Sequence, residues 1–253
     1  MPRIIAAGPA PRMKTRRMPL WLGWTLALLV AAGFAWLGSW QLARMHEKEA
    51  LLASVHAVLA QRVPQSLALA ADQARARDFD WAAGRGRFAD APALLLDNQS
   101  RDERAGVRAY RVFLPDARQA SPLLVELGWL PLSGDRKLPD IAPIGGAVDV
   151  RGLLLPPPSP GMVAATANRA ADGAVLATAL DAPELPRLLG VAKLPPRALR
   201  LDPKILLGYA RDLDVLPNTL PPSRHLGYAV QWFALSLAVL ATAAVLTFRK
   251  PRA

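Results

Sequence analysis

The residues of this 253-residue chain that could do chemistry stand together at the start of a C-terminal apolar segment. Arg224 and His225 are followed by a stretch, 226–248, that contains no Asp, Glu, Lys or Arg. At 100° per residue, a helix places His225, Tyr228 and Trp232 on one face. A neutral imidazole beside two aromatic side chains is suited to bind haem iron, and an arginine could pair with a haem propionate.

The same residues also fit a role without a ligand. Tyr and Trp are enriched at membrane interfaces whatever the function of the protein. A basic side chain at the end of an apolar helix commonly extends its charge into water. The residue types alone therefore leave open both a haem site and an ordinary membrane interface.

A second group of polar and aromatic residues follows an N-terminal apolar segment. Residues 18–43 carry no charge, and Trp40, Gln41 and Arg44 stand where a helix would leave the membrane. Because Gln41 would lack a partner against lipid, we expect it to face the second helix. The two groups share one predicted depth, which indicates a single pocket at the outer leaflet.

Both apolar segments are long enough to cross a hydrocarbon core of ~30 Å, which needs about 20 residues. The four Trp residues and the length of the first segment favour a retained anchor over a cleaved signal peptide. The sequence therefore predicts an α+β membrane protein with two transmembrane helices flanking one exported, strand-rich domain. The predicted organisation is a basic N-terminus (1–18), a first span (19–43), a periplasmic α+β domain (44–224), a second span (225–248) and a basic tail (249–253).

The distribution of charge predicts the topology. The net charge is +11, and the two ends hold eight basic residues and no acidic one: Arg3, Arg12, Lys14, Arg16, Arg17, Arg249, Lys250 and Arg252. Basic residues that flank spans stay on the cytoplasmic side, so we expect both termini in the cytoplasm of a cell whose inner membrane holds the protein. Anionic lipid is a sufficient partner for these ends, and we predict no nucleic-acid partner.

The sequence lacks the residues and motifs that several kinds of chemistry require. There is no cysteine, which excludes thiol exchange and cysteine-based copper transfer. His46 and His56 lie ten residues apart on an amphipathic helix that should continue the first span and end before Pro64, so they cannot bind one metal together and are expected at the surface. No zinc-protease, serine-hydrolase or nucleotide-binding motif occurs, and we predict that the protein is not an enzyme.

The segment between the spans has the texture of strands and turns. From Phe79 onward, short apolar or alternating runs are separated by clusters of Gly, Pro, Asn, Asp and Ser. The chain has 24 prolines, which oppose long helices here. The run Gly84-Arg85-Gly86-Arg87 lacks the Lys-Ser/Thr of a phosphate loop, so it predicts a turn or the basic start of a strand.

The two helix ends resemble signatures of one known family. Gly38-x-Trp-Gln-Leu-x-Arg44 is similar to the first-helix motif of the surfeit locus protein 1 family, and His225-Leu-x-Tyr-Ala-x-x-Trp-Phe233 is similar to its second-helix motif. Between them, the run Leu-Leu-Val-Glu-Leu-Gly-Trp-Leu-Pro resembles a strand of that family, although Glu126 and Leu127 stand where the family often has Asn and Arg.

The resemblance implies a cytochrome oxidase biogenesis factor. Such a protein would receive haem a from the haem a synthase and present it to oxidase subunit I, with His225 as the iron ligand and Arg224 beside a propionate. Two alternatives stay open: a haem-free membrane scaffold that stabilises subunit I, and an unrelated envelope tether. The residues expected to line the cofactor site are His225, Arg224, Tyr228, Trp232, Trp40, Gln41 and Arg44.

Overall fold

The structure, a computed structural model, describes residues 19–118, 120–134, 137–158, 164–216 and 220–249. They form two compact units, which we call the helix pair (described residues 19–48 and 221–249) and the barrel domain (Glu49–Leu220). The predicted basic N-terminus, 1–18, and residues 250–253 of the predicted tail lie outside the described residues.

Two long helices carry the apolar segments. Helix α1 spans Leu20–Gln61 and the last helix, α3, spans Pro222–Phe248, and both are long and apolar enough to cross a membrane. The core helix of a soluble protein would be mostly buried, but large apolar side chains such as Leu29 and Leu237 are exposed here. The predicted α+β architecture, with two membrane-spanning helices flanking a strand-rich domain, is confirmed.

The first helix is longer than the predicted span. It continues without a break to Gln61, so the amphipathic segment forms part of the same helix and ends before Pro64, as expected. At the other end of the chain, Pro222 occupies the first turn of α3, where a missing backbone N–H costs nothing.

The described part of the barrel domain consists mainly of strands in one sheet. In chain order its elements after α1 are β1 (Gln65–Ser66), a 3₁₀ turn (Leu67–Ala71), β2 (Asp80–Phe88), β3 (Leu94–Arg101), β4 (Arg104–Pro115), β5 (Leu123–Pro131), β6 (Ala147–Leu155), β7 (Ala167–Arg169), β8 (Val175–Ala177), α2 (Leu185–Leu188) and β9 (Ala198–Leu201).

Five of these strands form a closed ring. Strand β2 pairs with β6, β6 with β9, β9 with β5 and β5 with β4, and β4 returns to β2. The closing contact joins Gly86–Phe88 to Phe113–Pro115. A side-chain carbon at Gly86 would lie 2.3 Å from the Leu114 carbonyl oxygen, so closure requires glycine there. The Gly84–Arg87 run lies in the second half of β2, so it is neither the turn nor the strand start that was predicted.

The ring encloses the main core because apolar residues alternate along each strand. The inward positions are even-numbered in β2 and β6 and odd-numbered in β4, β5 and β9: Ala82, Phe88, Val107, Ala109, Phe113, Leu123, Val125, Leu127, Val150, Leu154, Leu199 and Leu201. Strands β3, β8 and β7 extend the sheet beyond β4, and with α2 they cover a second apolar cluster on the outer face. The C-terminal turns of α1 cover Trp81 and Leu153 on another outer face, with Val55 at the centre of that contact.

Candidate functional site

The helix pair is held by side-chain contacts at several depths. Along the pair, the sequence positions of the contacting residues fall in α1 as they rise in α3, so the two helices are antiparallel. The contacts are Gln41 with His225, Phe34 with Trp232, Ser236 with the Ala31 carbonyl oxygen, and Trp24 with Thr247.

Gln41 and His225 form a hydrogen bond at the end of the pair where the two predicted groups meet. Gln41 Oε1 lies 2.7 Å from His225 Nδ1. An amide oxygen only accepts hydrogen bonds, so Nδ1 is the donor. The prediction that Gln41 faces the second helix is confirmed.

The second ring nitrogen of His225 is buried and has no hydrogen-bond partner among the described residues. The residue as a whole is 7% exposed. Because a neutral imidazole carries one proton, a ring protonated at Nδ1 has a lone pair at Nε2. The arrangement therefore offers a buried metal-ligating atom, already oriented by a hydrogen bond on the other side of the ring.

The remaining aromatic residues of the predicted site do not share one environment. Trp232 is half-buried and stacks on Phe34, with ring centroids 5.6 Å apart. Tyr228 and Trp40 are exposed, at 40% and 48%. The sequence offered no sign that Phe34 would stack on the ring of Trp232. The part that these aromatics play in a cofactor site stays a prediction.

The predicted basic residues lie at the same end of the helix pair. Arg44 donates to Glu47 at 2.6 Å, with both side chains exposed, and Arg224 is also exposed. The charges of Arg44 and Lys48 are close enough to His225 to act on it. The end of the pair that holds His225 is therefore positively charged.

Gly38 packs against the second helix, a role that its place in the sequence motif did not indicate. It is buried opposite the ring of Phe233, one turn of α1 before Gln41. Small residues let membrane helices approach closely, and this approach brings Gln41 within reach of His225.

The barrel domain contains a buried ionic cluster centred on Glu126, which is 3% exposed. Its carboxylate accepts hydrogen bonds from Arg108 at 2.8 Å, Arg200 at 3.0 Å and the Tyr110 hydroxyl at 3.1 Å. Tyr110 and Arg200 are its partners in the strand register on either side. In the sequence, Glu126 stands out only as a departure from the family pattern, whereas in the structure it links β4, β5 and β9.

A second buried ion pair joins the two ends of the barrel sequence. Arg197, which is fully buried, donates to Asp80 at 2.6 Å, and Arg75 donates to the other carboxylate oxygen at 2.6 Å. Burial by itself raises the pKa of Asp80, but the hydrogen bonds from Arg197 and Arg75 outweigh it and hold that pKa below its usual value. The carboxylate thus pairs with two guanidinium groups and ties the start of β2 to the residue before β9.

No group of three or more His, Asp or Glu side chains that could hold a metal ion occurs in the described ranges. His225 is therefore the candidate ligand that the geometry singles out.

Comparison with known proteins agrees with the motifs at the helix ends. No curated protein gave a significant match. The model of the SURF1 family matches residues 28–237, a range that includes most of both helices and the whole barrel domain. Since that match covers most of the chain, the protein belongs to the SURF1 family, whose members take part in cytochrome oxidase biogenesis.

Proposed function

We propose that this protein binds haem a through Nε2 of His225 and presents it to subunit I of a haem-copper oxidase. The observation that carries the proposal is the buried, unpartnered Nε2, held from the other side of the ring by Gln41. Its role in oxidase biogenesis would then be delivery of a cofactor, and no covalent bond would be made or broken by the protein.

The donor set favours haem over a free metal ion. A bound zinc or copper ion takes three or four protein ligands, and no such cluster occurs among the described residues. Haem iron already has four porphyrin nitrogens and needs one or two side chains from the protein, of which histidine is the commonest. A single buried histidine therefore fits haem better than it fits a free metal ion.

The energetics point the same way. A buried polar atom without a partner costs about 1–3 kcal/mol, and proteins retain few of them. A ligand at Nε2 would remove this cost. Because Nε2 is enclosed, neighbouring groups must move aside when haem enters, so we expect binding to be accompanied by opening at this end of the helix pair.

The surrounding charges suit the acidic edge of a haem. Each haem carries two propionates, and Arg224 and Arg44 offer guanidinium groups for charge-assisted hydrogen bonds. Both side chains are exposed, and Trp40 and Tyr228 add exposed aromatic surface. We assign these residues to the edge and the faces of the macrocycle.

We further propose that both termini are cytoplasmic and that the barrel domain is periplasmic. The basic ends of the sequence support this orientation. Alkaline phosphatase fused after Gly145 should be active, because this enzyme folds only after export. Green fluorescent protein fused at the same site should be dark, and a fluorescent fusion would refute the orientation.

The test of haem binding uses His225→Ala in a strain that makes haem a. The variant should lose bound haem while its membrane level stays normal, because alanine is a good residue at a helix start. His225→Met should retain some haem with an altered spectrum, since thioether is a different axial ligand. The measurement is haem per protein by absorption after purification in detergent.

The matched control is His56→Ala, which removes an exposed histidine from the same chain. It should leave the haem content unchanged. If His225→Ala keeps the haem and the spectrum of the wild type, the ligand assignment is wrong. If the wild type contains no haem but its deletion still impairs the oxidase, the haem-free scaffold that stabilises subunit I is the better description.

A further inference from the structure

Gln41 holds His225 through an atom that can only accept a hydrogen bond. Oε1 lies 2.7 Å from Nδ1, and the two residues are 184 positions apart in sequence. The bond therefore keeps the proton on Nδ1. It also fixes the rotation of the imidazole ring about the bond that joins it to Cβ.

The opposite orientation of the amide would leave no lone pair at Nε2 for a metal. If the Gln41 NH₂ group faced the ring, Nδ1 would have to accept and the proton would move to Nε2. A buried N–H would then stand at Nε2 with no acceptor among the described residues, at the usual cost of an unsatisfied donor. In the observed orientation, the buried atom without a partner is a lone pair, which a metal can use.

We propose that Gln41 is the positioning residue of the site: it sets the tautomer of His225 and directs Nε2 to the iron. This role rests on the proposed function and differs from the sequence-based prediction, which placed Gln41 among the residues touching the cofactor. Outer-shell partners of metal-binding histidines fix the tautomer and raise the basicity of the ligand nitrogen, and removing one costs about 10–100-fold in affinity.

The first experiment needs no haem. Full-length protein with ¹⁵N-labelled histidine is prepared haem-free in detergent, and its three histidines are distinguished by comparison with His225→Ala. We expect the ring of His225 to be protonated at Nδ1 in the wild type. In Gln41→Leu, which cannot accept, the Nε2-protonated form should become substantially populated.

Gln41→Glu provides the rescue. A carboxylate also accepts from Nδ1, and the nearby charges of Arg44 and Lys48 favour the ionised form. This variant should keep the Nδ1 proton. A wild-type ring protonated at Nε2, or a tautomer unaffected by Gln41→Leu, would overturn the proposal.

The second experiment measures haem affinity and the reduction potential of bound haem. Gln41→Leu should bind haem about 10–100-fold more weakly. Gln41→Glu should retain haem and lower the reduction potential, because a stronger acceptor makes the imidazole a better donor to the oxidised iron. Equal affinity and potential in all three proteins would refute the positioning role, whereas absence of haem from the wild type would refute the proposed function itself.

Discussion

Gly38 and Phe233 face each other across the helix pair with no space for a side-chain carbon at position 38. A carbon placed there would lie 2.9 Å from both Cε1 and Cζ of the Phe233 ring. This contact lies one turn from Gln41, so the close approach of the helices and the hydrogen bond to His225 depend on the same glycine.

Gly38→Leu should therefore push the helices apart and break the Gln41–His225 bond. We expect a loss of about 1–3 kcal/mol in helix-pair stability, the usual cost of overpacking, together with a loss of bound haem. Gly33→Leu is the matched control, because nothing lies within 4 Å of a side chain at that position. Thermal unfolding in detergent and haem content check both variants, and equal behaviour of the two would contradict the packing assigned to Gly38.

Glu126→Gln should destabilise the barrel domain strongly. The substitution leaves Arg108 and Arg200 buried without a carboxylate, and breaking such a cluster by removing one partner costs about 3–5 kcal/mol. Asp149→Asn is the control: its carboxylate is exposed and lies 3.9 Å from Arg85, a pair worth at most about 1 kcal/mol. Denaturant unfolding of the detergent-solubilised chain, followed by tryptophan fluorescence, gives both values, and similar losses for the two variants would count against the cluster.

The barrel domain should lose stability in acid through Asp80. Its pKa is lowered in the folded state, so its contribution is complete above the unfolded value of about 3.9 and disappears as the pH falls through the lower, folded value. Asp80→Asn should be less stable than the wild type at neutral pH, and the difference should shrink below about pH 4. Unfolding midpoints from pH 3 to 7 check this, and a difference that stays constant across the range would show that the charge of Asp80 is not responsible.

The helices and strands were more predictable from the sequence than the closing of five strands into a ring. The two spans were predictable from the runs without charged residues. The orientation of Gln41 toward the second helix was predictable because an amide facing lipid would lack a hydrogen-bond partner. Ring closure through Gly86 was not predictable, because a strand pairing between residues about 27 positions apart leaves no local pattern. The ion pairs of Asp80 and Glu126 join residues 117 and 74 positions away, and a charged residue in a strand usually indicates a solvent-facing side.

Gly86→Val should prevent the ring from closing. Besides the Leu114 oxygen, the Phe113 ring lies 2.8 Å from the Cβ position, and backbone cannot give way as a flexible side chain can. We expect a loss of about 3 kcal/mol or more, at the upper end of overpacking costs. Gly145→Val, at a position with nothing within 4 Å, should be nearly neutral. Protease resistance of the barrel domain and its unfolding midpoint are the measurements, and a resistant Gly86→Val protein would mean that the ring closes differently.

Strand β9 is the last strand in the described part of the chain, and it lies between β5 and β6 in the ring. During synthesis, one edge of β5 and one edge of β6 stay unpaired until residues 198–201 have been translated, shortly before the second span. The same four residues, with Arg197 before them, bring Arg200 to Glu126 and Arg197 to Asp80. A chain that stops before residue 197 therefore lacks more than its second anchor: its sheet is open with two free edges, and Glu126 and Asp80 each lack one of their arginine partners. Termination shortly before residue 197 should thus yield an aggregation-prone or rapidly degraded product, even though most of the domain has been made.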